Sequence, residues 1–217
     1  AGISLSGAAE TSWTELRQQN DSAAADSYTL FDNFHGGCGG SVAAIKAGWF
    51  VQSGADCVAE EVRQFESLTG RVSLGDVDII DKNRVPRVHC WFSCSSCKDF
   101  SQLGGKAGIK GSKGGCHFIH QFEAAVAAGA KVVVIENVDG VATIDGGVAL
   151  MLLQQNAKAA GYSRFFHKRI TFAEYGDPEN RSRRVIVAFH DSVQLQRQWT
   201  WPTAFAAEWS LKHDHRK

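Results

Sequence analysis

An unbroken apolar run, Val132-Val133-Val134-Ile135, constrains the fold of this chain more than any other segment. It lacks the alternation of a half-exposed strand, so it reads as a strand buried on both faces. The alanine-rich stretch Phe122 to Ala130 in front of it reads as a helix feeding that strand. A helix followed by a buried strand is the repeating unit of a parallel α/β sheet. Such sheets place their chemistry beyond the carboxyl ends of their strands, where Glu136 and Asn137 stand. An acidic residue at a strand end is commonly just solvated, so the rest of the chain must decide.

The same alternation extends from Tyr28 onward. Tyr28 to Phe34 reads as a strand, Gly36 to Gly40 as a glycine turn and Val42 to Val51 as a helix. A second strand is expected at Ala55 to Ala59, a helix at Glu61 to Leu68, and a short apolar segment at Val77 to Ile80. Val88 to Phe92 is another strand, followed by a loop from Ser93 to Gly115 dense in glycine and lysine. A helix (Cys116 to Ala128), the Lys131 strand, a helix (Val148 to Ala160), and strands near Arg169 to Ala173 and at Arg184 to Phe189 complete the pattern. Elements alternating at this spacing predict an α/β fold, a mostly parallel sheet with helices on both faces. Residues 1–27, rich in Ala, Ser, Gln and Thr with one helix around Trp13 to Gln19, read as a peripheral segment.

At 217 residues the chain suits one α/β domain with a sizeable core. Its 23 basic and 23 acidic residues cancel, so any surface that attracts nucleic acid must be a local one. No run approaches the roughly 20 apolar residues of a membrane span, which argues against a membrane partner. Six unevenly spaced cysteines on an α/β pattern fit a reducing compartment better than a disulfide framework. Beginning at Ala1 rather than methionine, the chain reads as processed or excised from something longer.

Four segments carry candidate chemistry. Phe34-His35-Gly36-Gly37-Cys38-Gly39-Gly40 links a strand to a helix, and glycines there let the backbone approach a ligand beside free helix N–H groups. Plain tight turns share this pattern. Glu61, expected at the end of the second strand, can accept hydrogen bonds from ribose hydroxyls or simply cap a helix. Asp76, beside Gly75 and Val77 near the third strand, is placed for an exocyclic amine of adenine. These elements in order suggest a nucleoside-bearing cofactor, and no phosphate-loop lysine argues for a triphosphate.

Cys90, Cys94 and Cys97 crowd the next strand-to-loop junction. The Cys94-x-x-Cys97 spacing has no second pair, and only Cys116, His117 and His120 could add zinc ligands, so a nucleophile suits Cys97 better than metal. Lys98, Lys106, Lys110 and Lys113 lie in the same loop, and nearby cations favour a thiolate, although loop lysines are most often solvated. Lastly, Arg181 and Arg183 stand two apart on an extended segment and share a face, suited to a carbonyl, a phosphate or a carboxylate, or to surface salt bridges.

Together these segments resemble the DNA cytosine-5 methyltransferases, from about Tyr28 to Phe189 and in that family's motif order. Asp32-Asn33-Phe34 with the glycine turn is similar to the first S-adenosylmethionine motif; Glu61 and Gly75-Asp76-Val77 resemble the second and third. Ser96-Cys97-Lys98-Asp99-Phe100-Ser101 resembles the Pro-Cys-Gln nucleophile loop, and Glu136-Asn137-Val138 the Glu-Asn-Val segment. Tyr175-Gly176 through Arg183 resembles the Gln-x-Arg-x-Arg segment.

The resemblance implies a Rossmann-like class I methyltransferase fold over residues 28–217, S-adenosylmethionine as cofactor and DNA as partner. It implies a cofactor site at Phe34, Gly36, Gly39, Glu61, Asp76 and Val77, and catalysis by Cys97, Glu136, Arg181 and Arg183. Departures stand at Ser96 for proline, Lys98 for glutamine and Glu179 for glutamine. No target-recognition region and no final motif are recognisable before Lys217, so a recognition half supplied from elsewhere, or a larger assembly, is expected. Transfer-RNA methylation and a non-catalytic scaffold module remain alternative readings. A nuclear location follows for a eukaryotic source and a cytoplasmic one otherwise.

Overall fold

A computed structural model describes residues 11–23, 27–78, 84–101, 108–110 and 115–204. The chain divides into two compact units, Ala1–Pro86 and Arg87–Lys217.

The first unit holds α1 (Trp13–Ser22), β1 (Thr29–Asn33), α2 (Gly39–Lys46), β2 (Phe50–Ala55) and α3 (Ala59–Thr69). Strands β1 and β2 are parallel, with Leu30 against Val51 and Asp32 against Gly54. Phe31, Val51, Ala55 and Phe65 are fully buried between strands and helices. Each large side chain among them contributes about 1.5–3 kcal/mol. Gly54 permits this closeness, since a Cβ there would lie 2.7 Å from the Asp32 carbonyl oxygen and 2.8 Å from the Phe65 ring.

Two expected boundaries change here. The helix expected to reach Val51 stops at Lys46, and the second strand is Phe50–Ala55 rather than Ala55 to Ala59. Gly48 is responsible: in the left-handed conformation (φ +79°) it ends the helix and turns Trp49 and Phe50 into the sheet. The segment expected at Val77 to Ile80 contains a turn at Val77-Asp78 rather than a strand start. The sheet contact lies earlier, at a parallel bridge between Ser73 and Gly54, and Ile79 and Ile80 lie outside the described residues.

Helix α1 starts with a capping box between Ser12 and Glu15. Near its end, fully buried Asn20 donates to the carbonyls of Val51 (3.1 Å) and Thr69 (3.0 Å) and accepts from the Val51 N–H (2.8 Å). One side chain thus fastens α1 to both β2 and α3.

The second unit holds β3 (Cys90–Ser93), α4 (Gly115–Ile119), α5 (Gln121–Ala127), β4 (Val132–Asn137), α6 (Val148–Ala159), β5 (Arg164–Thr171) and β6 (Ser182–Phe189). Its strands lie in the order β3-β4-β6-β5. β3 and β4 are parallel, and β6 runs antiparallel to both β4 and β5. Within this unit β3, β4 and β5 therefore share one direction. The helix expected from Cys116 to Ala128 breaks at His120, where the Gln121 side chain donates to the His117 carbonyl (2.6 Å). The strand expected near Arg169 begins earlier, at Arg164, its cations disguising an edge strand.

The valine run does form β4, but its faces are unequally closed. Val133, Ile135 and Asn137 are buried, whereas Val132, Val134 and Glu136 are partly exposed. An all-apolar sequence cannot show which face stays open.

Candidate active site

In the first unit the chain leaves β1 and enters the glycine turn under backbone strain. Phe34 (φ 56°) and Cys38 (φ 63°) both adopt the left-handed region that disfavours side chains. Three anchors hold this conformation. The Phe34 N–H donates to the Ala55 carbonyl (2.8 Å), and the Gly36 N–H donates to the Asp56 carboxylate (3.0 Å). The His35 ring stacks on Phe65 (4.5 Å), with Nε2 3.0 Å from the Ser73 hydroxyl. Burial lowers the His35 pKa and favours the neutral ring.

Open space lies beside this strained backbone: a Cβ at Gly36, Gly37 or Gly39 would meet nothing within 4 Å. Beneath it sits a concentration of carboxylates. Asp32, fully buried, accepts from the Ser41 hydroxyl through Oδ2 (2.5 Å), while its Oδ1 finds no hydrogen-bond partner among the described residues. Burial, tempered by the Ser41 bonds, raises the Asp32 pKa to about 7. The buried Cys38 thiol is pushed up to about 12, by burial first and then by Asp32, Glu61 and Asp56.

Glu61 does not end a strand as expected. It sits in the first turn of α3, and its Oε2 is buried without a described partner. Asp56 takes the strand-end position instead, accepting from the Gly36 and Val58 N–H groups. Asp76 and Val77 are partly exposed beyond the Ser73 bridge, and Asp76 accepts from the Asp78 N–H (3.0 Å).

In the second unit the carboxyl ends of adjacent parallel strands β3 and β4 bring two expected site residues to one sheet edge. Glu136 lies within the last turn of β4's pleat, and Cys97 lies four residues past Ser93. The Arg183 Nε reaches a Glu136 oxygen at 2.8 Å, with both side chains largely sheltered. Next to it, the Asn137 amide donates to the Ser95 carbonyl (3.0 Å), and its oxygen accepts from the Val138 N–H (2.8 Å). One strand end thus carries the carboxylate and also tethers the loop that bears the thiol.

That loop has further braces. The Phe100 N–H donates to the Cys97 carbonyl (3.0 Å), and Phe100 is buried against Phe118. The Asp99 carboxylate accepts from the Gly115 N–H, and its carbonyl from the Gly108 N–H. Cys97 is partly exposed and Lys98 exposed. Arg181 is exposed, just before β6, and does not share Arg183's sheltered position. Lys106, Lys113 and the Cys116 side chain lie outside the described residues, among which no metal-holding group of His, Cys, Asp or Glu occurs.

Sequence reasoning missed Asp56, Asp32's titration and the Arg184–Asp139 pair (2.5 Å). Asp56 was legible only with β2 in its true frame, since Gly54-Ala55-Asp56 marks a strand end once the strand begins at Phe50.

The model of the C-5 cytosine-specific DNA methylase family matches residues 29–214. The type II methyltransferase M.Eco47II of Escherichia coli is 26% identical over 88% of this chain and 46% of its own length. M.HhaI of Haemophilus parahaemolyticus is 27% identical over 76% and 50%. M.BsuFI of Bacillus subtilis is 29% identical over 60% and 32%. The chain thus spans at most about half the length of these relatives. Among solved structures, a Spodoptera frugiperda DNMT2 superposes with a TM-score of 0.61 at 12% identity, covering 82% of this chain and 54% of that one. The Entamoeba histolytica methyltransferase EhMeth gives 0.61 at 12% identity, covering 85% and 60%. These likenesses establish the Rossmann-like class I methyltransferase fold.

Proposed function

Because the chain belongs to the C-5 cytosine-specific DNA methylase family, we propose that it methylates C5 of cytosine in DNA from S-adenosylmethionine, through a covalent bond from Cys97 to C6. The observation that carries this reading is the Arg183–Glu136 pair beside the Asn137–Ser95 tether. A carboxylate held in a fixed orientation and a fixed thiol-bearing loop are what the chemistry of an inert pyrimidine requires.

The first unit suits the cofactor on physical grounds. S-adenosylmethionine is cationic at its sulfonium and ammonium groups, and supplies an electrophilic methyl group when bound. The buried oxygens of Asp32 and Glu61 that have no partner among the described residues suit a cation or hydroxyl donor, and the clear space over Gly36, Gly37 and Gly39 suits close backbone approach. Phe34, Asp76 and Val77 complete the assigned cofactor residues.

In the second unit, the Cys97 thiolate adds to C6 and the displaced π electrons make C5 nucleophilic. Glu136 accepts from the exocyclic amine and gives its proton to N3 as charge develops on the ring, taking it back when Cys97 departs. Arg183 orients Glu136 and, with Arg181, faces the O2 carbonyl. After C5 accepts the methyl group it loses its proton to a base, the C5–C6 double bond re-forms, and Cys97 departs as thiolate. The target base must leave the duplex stack to reach these groups.

The test is covalent trapping with an oligonucleotide containing 5-fluorocytosine, in the presence of S-adenosylmethionine. Residues 1–217 alone should trap little; with a recognition half supplied, a denaturation-resistant adduct is expected, lost in Cys97→Ser and kept in Cys94→Ser. Oligonucleotide and cofactor both bound without any adduct would overturn catalysis and leave a binding module. An adduct on RNA but not DNA would move the substrate to RNA.

A further inference from the structure

The chain is neutral overall, yet strands β5 and β6 carry Arg164, Lys168, Arg169, Arg183 and Arg184 with no carboxylate among them. Most of these cations are already engaged. Arg183 pairs with Glu136, Arg184 with Asp139, and Arg164 donates to the carbonyls of His190 and Val193. Arg169 differs, because among the described residues its guanidinium donates only to a neutral hydroxyl, that of Ser182 (3.2 Å). Register places Arg169, Arg184 and Asn137 on one rung of the sheet, so its side chain belongs to the face on which Asn137 tethers the Cys97 loop.

Arg169 also lines a cavity of about 560 Å³, with Phe100, Ser101, Val138, Asp139 and Ile144 on its walls. That volume falls within the roughly 300–1,000 Å³ of small-ligand sites. Its walls combine two branched apolar side chains, Val138 and Ile144, with the hydroxyls of Ser101 and Thr143 and one cation. The single acid, Asp139, is neutralised by Arg184. The turn holding Asp139 packs so tightly that a Cβ on Gly140 would fall 1.9 Å from the Phe100 carbonyl oxygen, so the wall is built rather than incidental. Val138 joins the cavity directly to the strand end bearing Glu136.

We propose that this cavity is a second nucleotide subsite, which takes the nucleotide flanking the target cytosine, with Arg169 on its phosphate. The inference rests on the reading of the chain as a nucleic-acid methyltransferase and adds where the neighbouring nucleotide is held. Base and sugar would lie against Val138 and Ile144, while the phosphate supplies the anion that no described residue gives Arg169.

The experiment measures binding, so that it does not depend on turnover. A fluorescent single-stranded oligonucleotide with one cytosine is titrated by anisotropy across a salt series. Arg169→Ala is expected to lower the slope of log K against log salt by about 0.7, one phosphate contact on a single strand, and Arg169→Lys to restore it. A scan of single methylphosphonates should weaken the wild-type protein at one phosphate beside the cytosine and have no further effect there in Arg169→Ala. Equal slopes for wild type and Arg169→Ala, a scan identical in both, or no binding at all would overturn the subsite. An adduct that never forms while the Arg169-dependent slope persists would count against the proposed chemistry and not against the subsite.

Discussion

Replacing Asp32 with asparagine should change how stability depends on pH, and the size of the effect follows from where the carboxyl sits. The Asp32 side chain lies at the end of β1, 1% exposed, with one oxygen on the Ser41 hydroxyl and the other without a partner among the described residues. Burial raises its pKa from the ordinary 3.8 to about 7. A carboxyl whose pKa is raised by folding favours the native state while protonated. That advantage is whole below pH 3.8 and is lost as pH climbs through about 7. At about 1.4 kcal/mol per pH unit, the loss between those values is on the order of 4 kcal/mol, a large part of a typical folding free energy. Urea unfolding of wild type and Asp32→Asn, followed by tryptophan fluorescence from pH 4 to 9, measures it. The two should be close in stability near pH 4, and the variant should gain steadily toward pH 8. Ser41→Ala removes a bond that lowers the Asp32 pKa, so its loss of stability should begin at the same pH and continue to a higher one. Parallel curves for wild type and Asp32→Asn across the range would refute the assignment. A cationic ligand against Asp32 Oδ1 should also favour ionisation, so S-adenosylmethionine binding should release protons near pH 7 in the wild type and not in Asp32→Asn.

Glu136→Gln keeps the shape of the Arg183 partner and removes its charge; the adduct rate should fall about 10²–10³-fold, and adding Arg183→Ala should cost less than its effect alone, as a double-mutant cycle would read. Asn20→Ala leaves two carbonyls and an N–H buried without partners, and should destabilise the chain by about 3 kcal/mol in denaturant titration. Asn137→Ala frees the Ser95 carbonyl and loosens the Cys97 loop, so adduct formation should slow at saturating oligonucleotide while the binding constant from anisotropy stays unchanged.

The sequence made the alternation of elements legible because buried strands and helices differ in apolar period, and the valine run could belong to little else. It located Glu136 and Cys97 at strand ends for the same reason: both follow apolar segments short enough to be strands. It misplaced β2 because Ile45 to Val51 looks apolar apart from Lys46, and only the left-handed Gly48 divides helix from strand. That one shift moved the expected acid from Asp56 to Glu61. The start of β5 was hidden because Arg164 and the His167 to Arg169 cluster read as polar loop, although an edge strand carries such charges without penalty.

What composition hid most completely was compensation between charges. A net charge of zero conceals a ribbon of cations on β5 and β6 and a pool of carboxylates beneath the glycine turn. The two have opposite uses. Buried acids with unpartnered oxygens suit a cationic cofactor, and a cation facing a cavity suits a phosphate. On the proposed reading, segregating the charges this way lets one neutral chain attract ligands of both signs, each at its own site. Neutralising only one pool should separate the functions: Asp32→Asn should weaken S-adenosylmethionine binding and leave the salt slope for oligonucleotide intact, while Arg169→Ala should do the reverse. If each variant impaired both ligands equally, the charges would be serving the fold and not the two sites.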